Sequence, residues 1–413
     1  MNIKMIKASA IVGIGTVLSQ VLGLLFVIII ARYYSKSDYG LVIYTISVGT
    51  IAATVITAGF PSSLVRFIAK YYKDQEKINE YFTNVIVVTF MLLIVIVLCS
   101  LIIYGYDIGI VSIIIGYSIV YVYLGMIRGF IDYKKIALFN ILNNGIKIAA
   151  LIVLLYTVNV KSPLIIILLY AFGGWIIILL LEYVHPATVC YMHSKISFER
   201  MKEITRYSVP IMISMIAYTT LSQIPIILIK EFSGNFELVG TYSTAQTLTT
   251  VFSFIPGAIA TITMPAISRT EDKILRVKYT RQSMLIVLVT GIVLYIMILI
   301  FGQVIIKLIY TEKYISSYPI LLILSIGAVF GGIRNIFCSL WEGNGTPIIT
   351  TYDIFSAFFV CLLFSAILIP QIGPIGAAYG YTFGMIIAVI IDFVYWIKYN
   401  SDKSYTLEVQ TKV

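Results

Sequence analysis

Lys147 stands among apolar residues, Ala137 to Leu155, on the same helical face as Asn140, Asn143 and Asn144. A cation at bilayer mid-depth costs about 2.5–3.5 kcal/mol on insertion scales. Lys147 follows Ile136 by eleven residues, about 16 Å of helix, or half the hydrocarbon thickness. No carboxylate lies at comparable depth in another segment. Two readings stay open: a cation that attracts a phosphate or an acidic sugar, or a structural lysine bonded to the asparagines and to carbonyls. A second group, Arg334, Asp353 and Asp392, falls in the last three apolar segments, each five or six residues from a segment end. Similar depth predicts a mutual ion cluster, either structural or a site for a coupling ion. Arg32 and Arg66 bracket the first two segments on opposite faces, where either can touch an anionic head group. Gln223 and Gln246 belong to hydroxyl-rich segments and are candidate substrate contacts.

No constellation points to catalysis. His185, Cys190 and His193 share a short loop, but their spacing matches no established metal site. There is no Walker A loop, so ATP hydrolysis is not expected within the chain. The four cysteines show no pairing pattern. No cofactor is expected beyond a coupling ion, H+ or Na+.

The elements that must position these residues are membrane spans. The chain has 413 residues, 60% hydrophobic and 12% charged, far too apolar for a soluble protein of this size. At about 20 apolar residues per helical crossing, the sequence predicts twelve spans. They are 8–31, 39–59, 83–104, 108–127, 136–157 and 162–184, then 207–229, 239–267, 283–309, 318–340, 347–369 and 374–397. The runs are continuous rather than alternating, which argues against a β-barrel. The first follows Lys4 and Lys7 but lacks a small-residue cleavage site, so it reads as a retained helix. The expected organisation is a six-helix lobe (1–184), a cytoplasmic linker (185–206), a second six-helix lobe (207–397) and a cytoplasmic tail (398–413). With the N-terminus inside, 21 basic residues fall on inner segments and six on outer ones. That places both termini in the cytoplasm, in the cell membrane. The net charge of +10 is mostly this bias. It suits membrane lipids as partners and does not imply nucleic acid.

Asp38-Tyr39-Gly40-Leu41-Val42 and Leu238-Val239-Gly240-Thr241-Tyr242 each precede a Ser/Thr-rich helix that ends near a proline, Pro61 or Pro265. This weak repetition suggests two parallel halves. The hydroxyls of the second, seventh and eighth spans line a polar cavity or bind helices together. Pro210, Pro225, Pro256 and Pro265 predict interruptions in the seventh and eighth spans. The four-residue glycine spacing at Gly376, Gly380 and Gly384, and at Gly327 and Gly331, predicts close helix packing. The longest connections are expected at 185–206 and 62–82, and Glu182 is expected to be solvated.

Several motifs together carry a resemblance. They are Gly13-x-Gly15…Gly23, the run Ala31-Arg32-Tyr33-Tyr34-Ser35-Lys36-Ser37-Asp38-Tyr39-Gly40, Trp341-Glu342-Gly343-Asn344-Gly345-Thr346-Pro347, and Leu368-Ile369-Pro370-x-x-Gly373-Pro374-Ile375-Gly376-Ala377-Ala378. With them the chain resembles the polysaccharide and O-antigen flippases of the multidrug/oligosaccharidyl-lipid/polysaccharide exporter superfamily. The resemblance implies an all-α, two-lobed, twelve-helix fold whose cleft is walled by spans one, two, seven and eight. It also implies translocation of a lipid-linked oligosaccharide to the outer leaflet by alternating access, with glycan-assembly proteins as partners. Family members of this kind often carry luminal cations for anionic sugars or diphosphates, a description that Lys147 fits. A cation-coupled drug exporter of the same superfamily is the alternative. It would favour an embedded carboxylate, which the first six spans lack at mid-depth. A glycosyltransferase or polymerase would need a sizeable outer loop, and the outer connections are short.

Overall fold

The computed structural model describes residues 3–57, 59–157, 161–184 and 196–401. They form fourteen α-helices and two short 3-10 turns, with no strand among the described residues. The helices are α1 (Ile3–Tyr33), α2 (Lys36–Thr57), α3 (Phe60–Lys70), α4 (Gln75–Tyr104), α5 (Ile108–Gly129), α6 (Tyr133–Tyr156) and α7 (Pro163–Val184). Then follow α8 (Phe198–Ser233), α9 (Phe236–Thr249), α10 (Phe254–Arg269), α11 (Lys273–Ile309), α12 (Tyr318–Gly343), α13 (Ile348–Ile372) and α14 (Pro374–Ser401). Twelve stretches are long and apolar enough to cross a membrane. The second joins α2 to α3, and the eighth joins α9 to α10 through the 3-10 turn Thr250–Ser253. The chain is thus an all-helical, multi-pass membrane protein. Two compact units, Met1–Thr219 and Thr220–Val413, divide within α8.

The second and eighth spans occupy 35 and 34 residues, Lys36–Lys70 and Phe236–Arg269. The eighth span breaks just ahead of Pro256, whose missing N–H removes a helix bond at that point. The other expected interruptions differ: α8 continues through Pro210 and Pro225, and α10 through Pro265.

The connection expected over 62–82 is mostly helix. Phe60, Leu64, Phe67 and Ile68 fall on one face of α3 and are buried with Ile78, Tyr81 and Val85 of α4. Arg66 and Lys70 occupy the opposite, exposed face. Basic residues at four-residue spacing were therefore the outer side of an amphipathic helix, not a loop. Similarly α8 begins at Phe198, ahead of the expected start, and buries Ile204 and Ser208. Residues 185–195, with His185, Cys190 and His193, lie outside the described residues.

The aliphatic third span, α4, leaves Phe90, Met91, Ile94, Val95 and Leu98 uncovered by protein, as a lipid-facing helix should. The glycine spacing packs helices at Gly376, Gly380, Gly384 and Gly327, but not at Gly331, whose nearest neighbour, Met385 Sδ, is 3.8 Å from a Cβ. A Cβ at Gly376 would lie 2.5 Å from the Leu368 carbonyl carbon, and one at Gly384 2.6 Å from the Ala357 oxygen, so α13 and α14 touch backbone to backbone.

Candidate functional site

In the first unit, α6 runs parallel to α1. Gly15 faces Ala137, Ser19 faces Asn140 and Asn144, and Tyr33 reaches Leu155. Ser19 Oγ donates to the Asn140 carbonyl at 2.7 Å. Asn144 Nδ2 donates to the Ser19 carbonyl at 2.8 Å and to Ser19 Oγ at 3.0 Å. The polar stripe therefore divides: the Asn144 side chain, with the Asn140 backbone carbonyl, joins α6 to α1, whereas Lys147 turns to α7.

The Lys147 side chain is 5% exposed and lies in a notch at Gly173, where a Cβ would stand 2.9 Å from Lys147 Cγ. Its ammonium rests 4.5 Å from the ring centroid of Tyr170. Tyr117 of α5 donates its hydroxyl to that of Tyr170 at 2.7 Å, and Phe26 of α1 lies against Tyr170 at 5.9 Å. No carboxylate comes within 4.0 Å of Lys147 among the described residues. Asn143 Oδ1, one turn earlier, is buried without a partner. A desolvated cation–π contact is worth about 2 kcal/mol, which offsets much of the insertion cost of about 2.5–3.5 kcal/mol. The ammonium thus stays in the apolar layer by resting on a ring, with no anion to neutralise it. It bonds none of the asparagines.

Arg32 and Arg66 do not join this group. Arg32 is exposed six residues beyond Phe26 on α1, about 9 Å further along the axis. Arg66 is exposed on α3, with its guanidinium 4.4 Å from the Tyr207 ring of α8. Nearby, Arg200 pairs with Glu80 at 3.0 Å and with Glu203 at 3.3 Å. The hydrogen bond to Glu80 raises its pKa, so it stays charged throughout the physiological range. Glu182 is not simply solvated: it accepts Lys135 Nζ at 2.6 Å and the Tyr123 hydroxyl at 2.7 Å.

In the second unit, the two glutamines meet at Ser222. Gln246 Nε2 donates to its carbonyl at 2.7 Å, and Gln223 Nε2 to its hydroxyl at 3.4 Å. Many span hydroxyls bond their own helix one turn back, including Ser47, Thr54 and Thr57 on α2 and Thr241, Ser243, Thr244 and Thr247 on α9. Their protons are used locally and only acceptor capacity remains.

Arg334, Asp353 and Asp392 do come together. Arg334 Nη2 donates to Asp353 Oδ1 at 2.9 Å, and Nε lies 2.9 Å from Oδ2. Trp341 Nε1 donates to Asp392 Oδ1 at 2.8 Å, leaving Asp392 Oδ2 buried without a partner. The guanidinium thus pairs with Asp353, and Asp392 is held by Trp341 with one oxygen unmatched, able to take a proton or a cation. Sequence reasoning missed Trp341, Tyr117, Tyr170 and Gly173, because each looks like ordinary apolar filling until packing sets it beside a charge.

The profile described as "Polysaccharide biosynthesis protein" matches residues 5–271. The capsular polysaccharide biosynthesis protein CapF of Staphylococcus aureus is 28% identical over 217 residues, covering 50% of this chain and 52% of that protein. An uncharacterized membrane protein, MJ1068, of Methanocaldococcus jannaschii is 24% identical over 253 residues, 60% of this chain and 48% of that one. The matched stretches thus span about half the length of these curated relatives. Among solved structures, the lipid II flippase MurJ in an inward closed conformation superposes with a TM-score of 0.75 at 14% identity, over 94% of this chain and 87% of that one. An inward-facing multidrug resistance MATE family transporter of the MOP superfamily superposes with 0.74 at 16% identity, over 93% and 95%. These likenesses establish a shared fold. The match over residues 5–271 places the chain itself in the polysaccharide biosynthesis protein family.

Proposed function

We propose that the protein is a flippase that carries a lipid-linked, anionic oligosaccharide precursor across the cytoplasmic membrane by alternating access. The observation that carries the reading is Lys147: a buried cation, deep in a span of a polysaccharide biosynthesis protein, with a ring and no carboxylate against it. A cationic drug would be repelled there, whereas an anionic glycan gains a partner without leaving a second buried charge unmatched. The relatives named above support the glycan side of the reading. Arg334, Asp353 and Asp392 are the proposed seat of a coupling ion, H+ or Na+, because Asp392 keeps an unmatched oxygen. Membrane lipids and glycan-assembly proteins are the expected partners, and both termini are assigned to the cytoplasm.

The test is Lys147→Ala in a strain whose own copy is deleted. The variant protein should reach the membrane in normal amount while the lipid-linked precursor accumulates inside and surface glycan is lost. Normal surface glycan in that strain would remove Lys147 from the mechanism. Altered drug tolerance with normal glycan in the deletion strain would favour a small-molecule exporter instead.

A further inference from the structure

Helix α3 lies beyond the membrane crossing that precedes it. The 22 residues of α2 already extend about 33 Å, slightly more than the hydrocarbon thickness of about 30 Å. Helix α4 gives the same level from the other side. Its residues 82–104 carry no charge and are enough to cross, so its first turns stand outside the apolar layer. The exposed face of α3 and the turn after it therefore lie at head-group depth. That surface carries Arg66, Lys70 and Lys73, all exposed.

The neighbouring carboxylates are mostly engaged elsewhere. Arg200 takes Glu80 at 3.0 Å and Glu203 at 3.3 Å, and Lys77 lies 3.3 Å from Asp74. Glu203 also accepts the Tyr81 hydroxyl at 2.7 Å. Arg66, Lys70 and Lys73 form no ion pair among the described residues. Against these three cations stands the exposed acid Glu76 in the first turn of α4, which leaves the surface positive. The cations rest on rings instead: Arg66 is 4.4 Å from Tyr207, Lys70 4.9 Å from Tyr71, and Lys73 5.4 Å from Tyr72. A guanidinium stacked on a ring keeps its N–H edge free, and that edge fits a phosphate. Tyr72 itself is 66% exposed, the amphipathic kind of ring that settles at a membrane interface.

We propose that this surface binds the head group of an anionic phospholipid in the adjoining leaflet, the cytoplasmic one in the proposed orientation. Arg66 and Lys70, one turn apart on α3, take the phosphodiester oxygens, Lys73 adds a third positive charge, and Tyr72 lies against the glycerol. A zwitterionic lipid offers the same phosphate, but its own ammonium opposes the cations, so the surface selects net negative charge. A free phosphate has no apolar part to set against Tyr72. The general expectation of lipid partners is thereby narrowed to one surface and one head-group charge.

The test places the purified full-length protein in nanodiscs of equimolar phosphatidylglycerol and phosphatidylcholine, and native mass spectrometry reads which lipids stay bound. Phosphatidylglycerol should be retained in preference. Arg66→Gln and Lys70→Gln should each lower that preference about fivefold, the effect of one basic residue near an anionic surface. Lys70→Arg keeps the charge and should keep the preference. Lys161→Gln removes an exposed cation from another connection and should change nothing. Equal retention of the two lipids by the unaltered protein overturns the assignment, as do equal losses in Lys70→Gln and Lys161→Gln. Displacement of the lipid by inorganic phosphate would make this a free-phosphate site, and displacement by a polyprenyl diphosphate would make it a cargo contact; either result also overturns it. The flippase reading stands on glycan export, which none of these measurements reads.

Discussion

A lone ammonium persists in an apolar helix only where some neighbour interacts with its charge, and for Lys147 that neighbour is the Tyr170 ring. The contact depends on Gly173, because Lys147 Cγ and Cε would lie 2.9 and 3.1 Å from any Cβ at that position. Gly173→Ala should therefore lower stability by about 1–3 kcal/mol, as overpacking does, and cut glycan export severalfold by pushing the lysine off the ring. Gly145→Ala, with open space around its Cβ, should instead gain about 0.5–1 kcal/mol of helix stability. Thermal melting alongside an export assay checks both, and normal export by a folded Gly173→Ala protein would refute the dependence. The same reasoning applies to the buried ion pair of Arg334 and Asp353. Arg334→Gln alone strands a buried carboxylate and should cost about 3–5 kcal/mol. Arg334→Met combined with Asp353→Leu removes both charges and should recover most of that loss in melting experiments. If the cluster also couples an ion, the double variant should melt normally and still fail to export.

At the scale of elements, the apolar runs made the spans legible, and the glycine spacing announced the α13–α14 contact. Gly380 tests that contact, because a Cβ there would fall 2.2 Å from Ser365 Oγ and 2.9 Å from the Cys361 carbonyl oxygen. Gly380→Ala must separate the two helices and should destabilise by about 1–3 kcal/mol. Gly331→Ala, whose nearest neighbour is Met385 Sδ at 3.8 Å, should be close to neutral, and paired melting curves separate the two. Other features were not legible. Helix α3 looked like a basic loop because its apolar face is short and its exposed face carries Arg66 and Lys70. The hydroxyls of α2 and α9 looked available, yet back-bonding to their own carbonyls is a local choice that spacing cannot reveal. The candidate site was half visible. Lys147 and its asparagines share one helix and one period, whereas Tyr117 and Tyr170 come from two other helices and are adjacent only once the bundle forms.

For the whole molecule, the proposed orientation in the bilayer is argued from charge. Twelve crossings put alternate connections on alternate sides, and the basic residues concentrate on one set, 21 against six. Lys/Arg near short connections stay on the cytoplasmic side during insertion. The turn between α3 and α4, with Lys70, Lys73 and Lys77, belongs to the rich set. Lys161, just before α7, belongs to the poor one. In a background where Cys99, Cys190, Cys338 and Cys361 are replaced by serine or alanine, a membrane-impermeant thiol reagent should label Lys161→Cys in intact cells. Lys73→Cys should stay unlabelled until the membrane is opened. The opposite pattern would invert the molecule, placing the Arg66 face of α3 outside and reversing the proposed direction of glycan movement. Labelling of both positions in intact cells would mean that one of the twelve stretches does not cross. The alternation of connections would then fail.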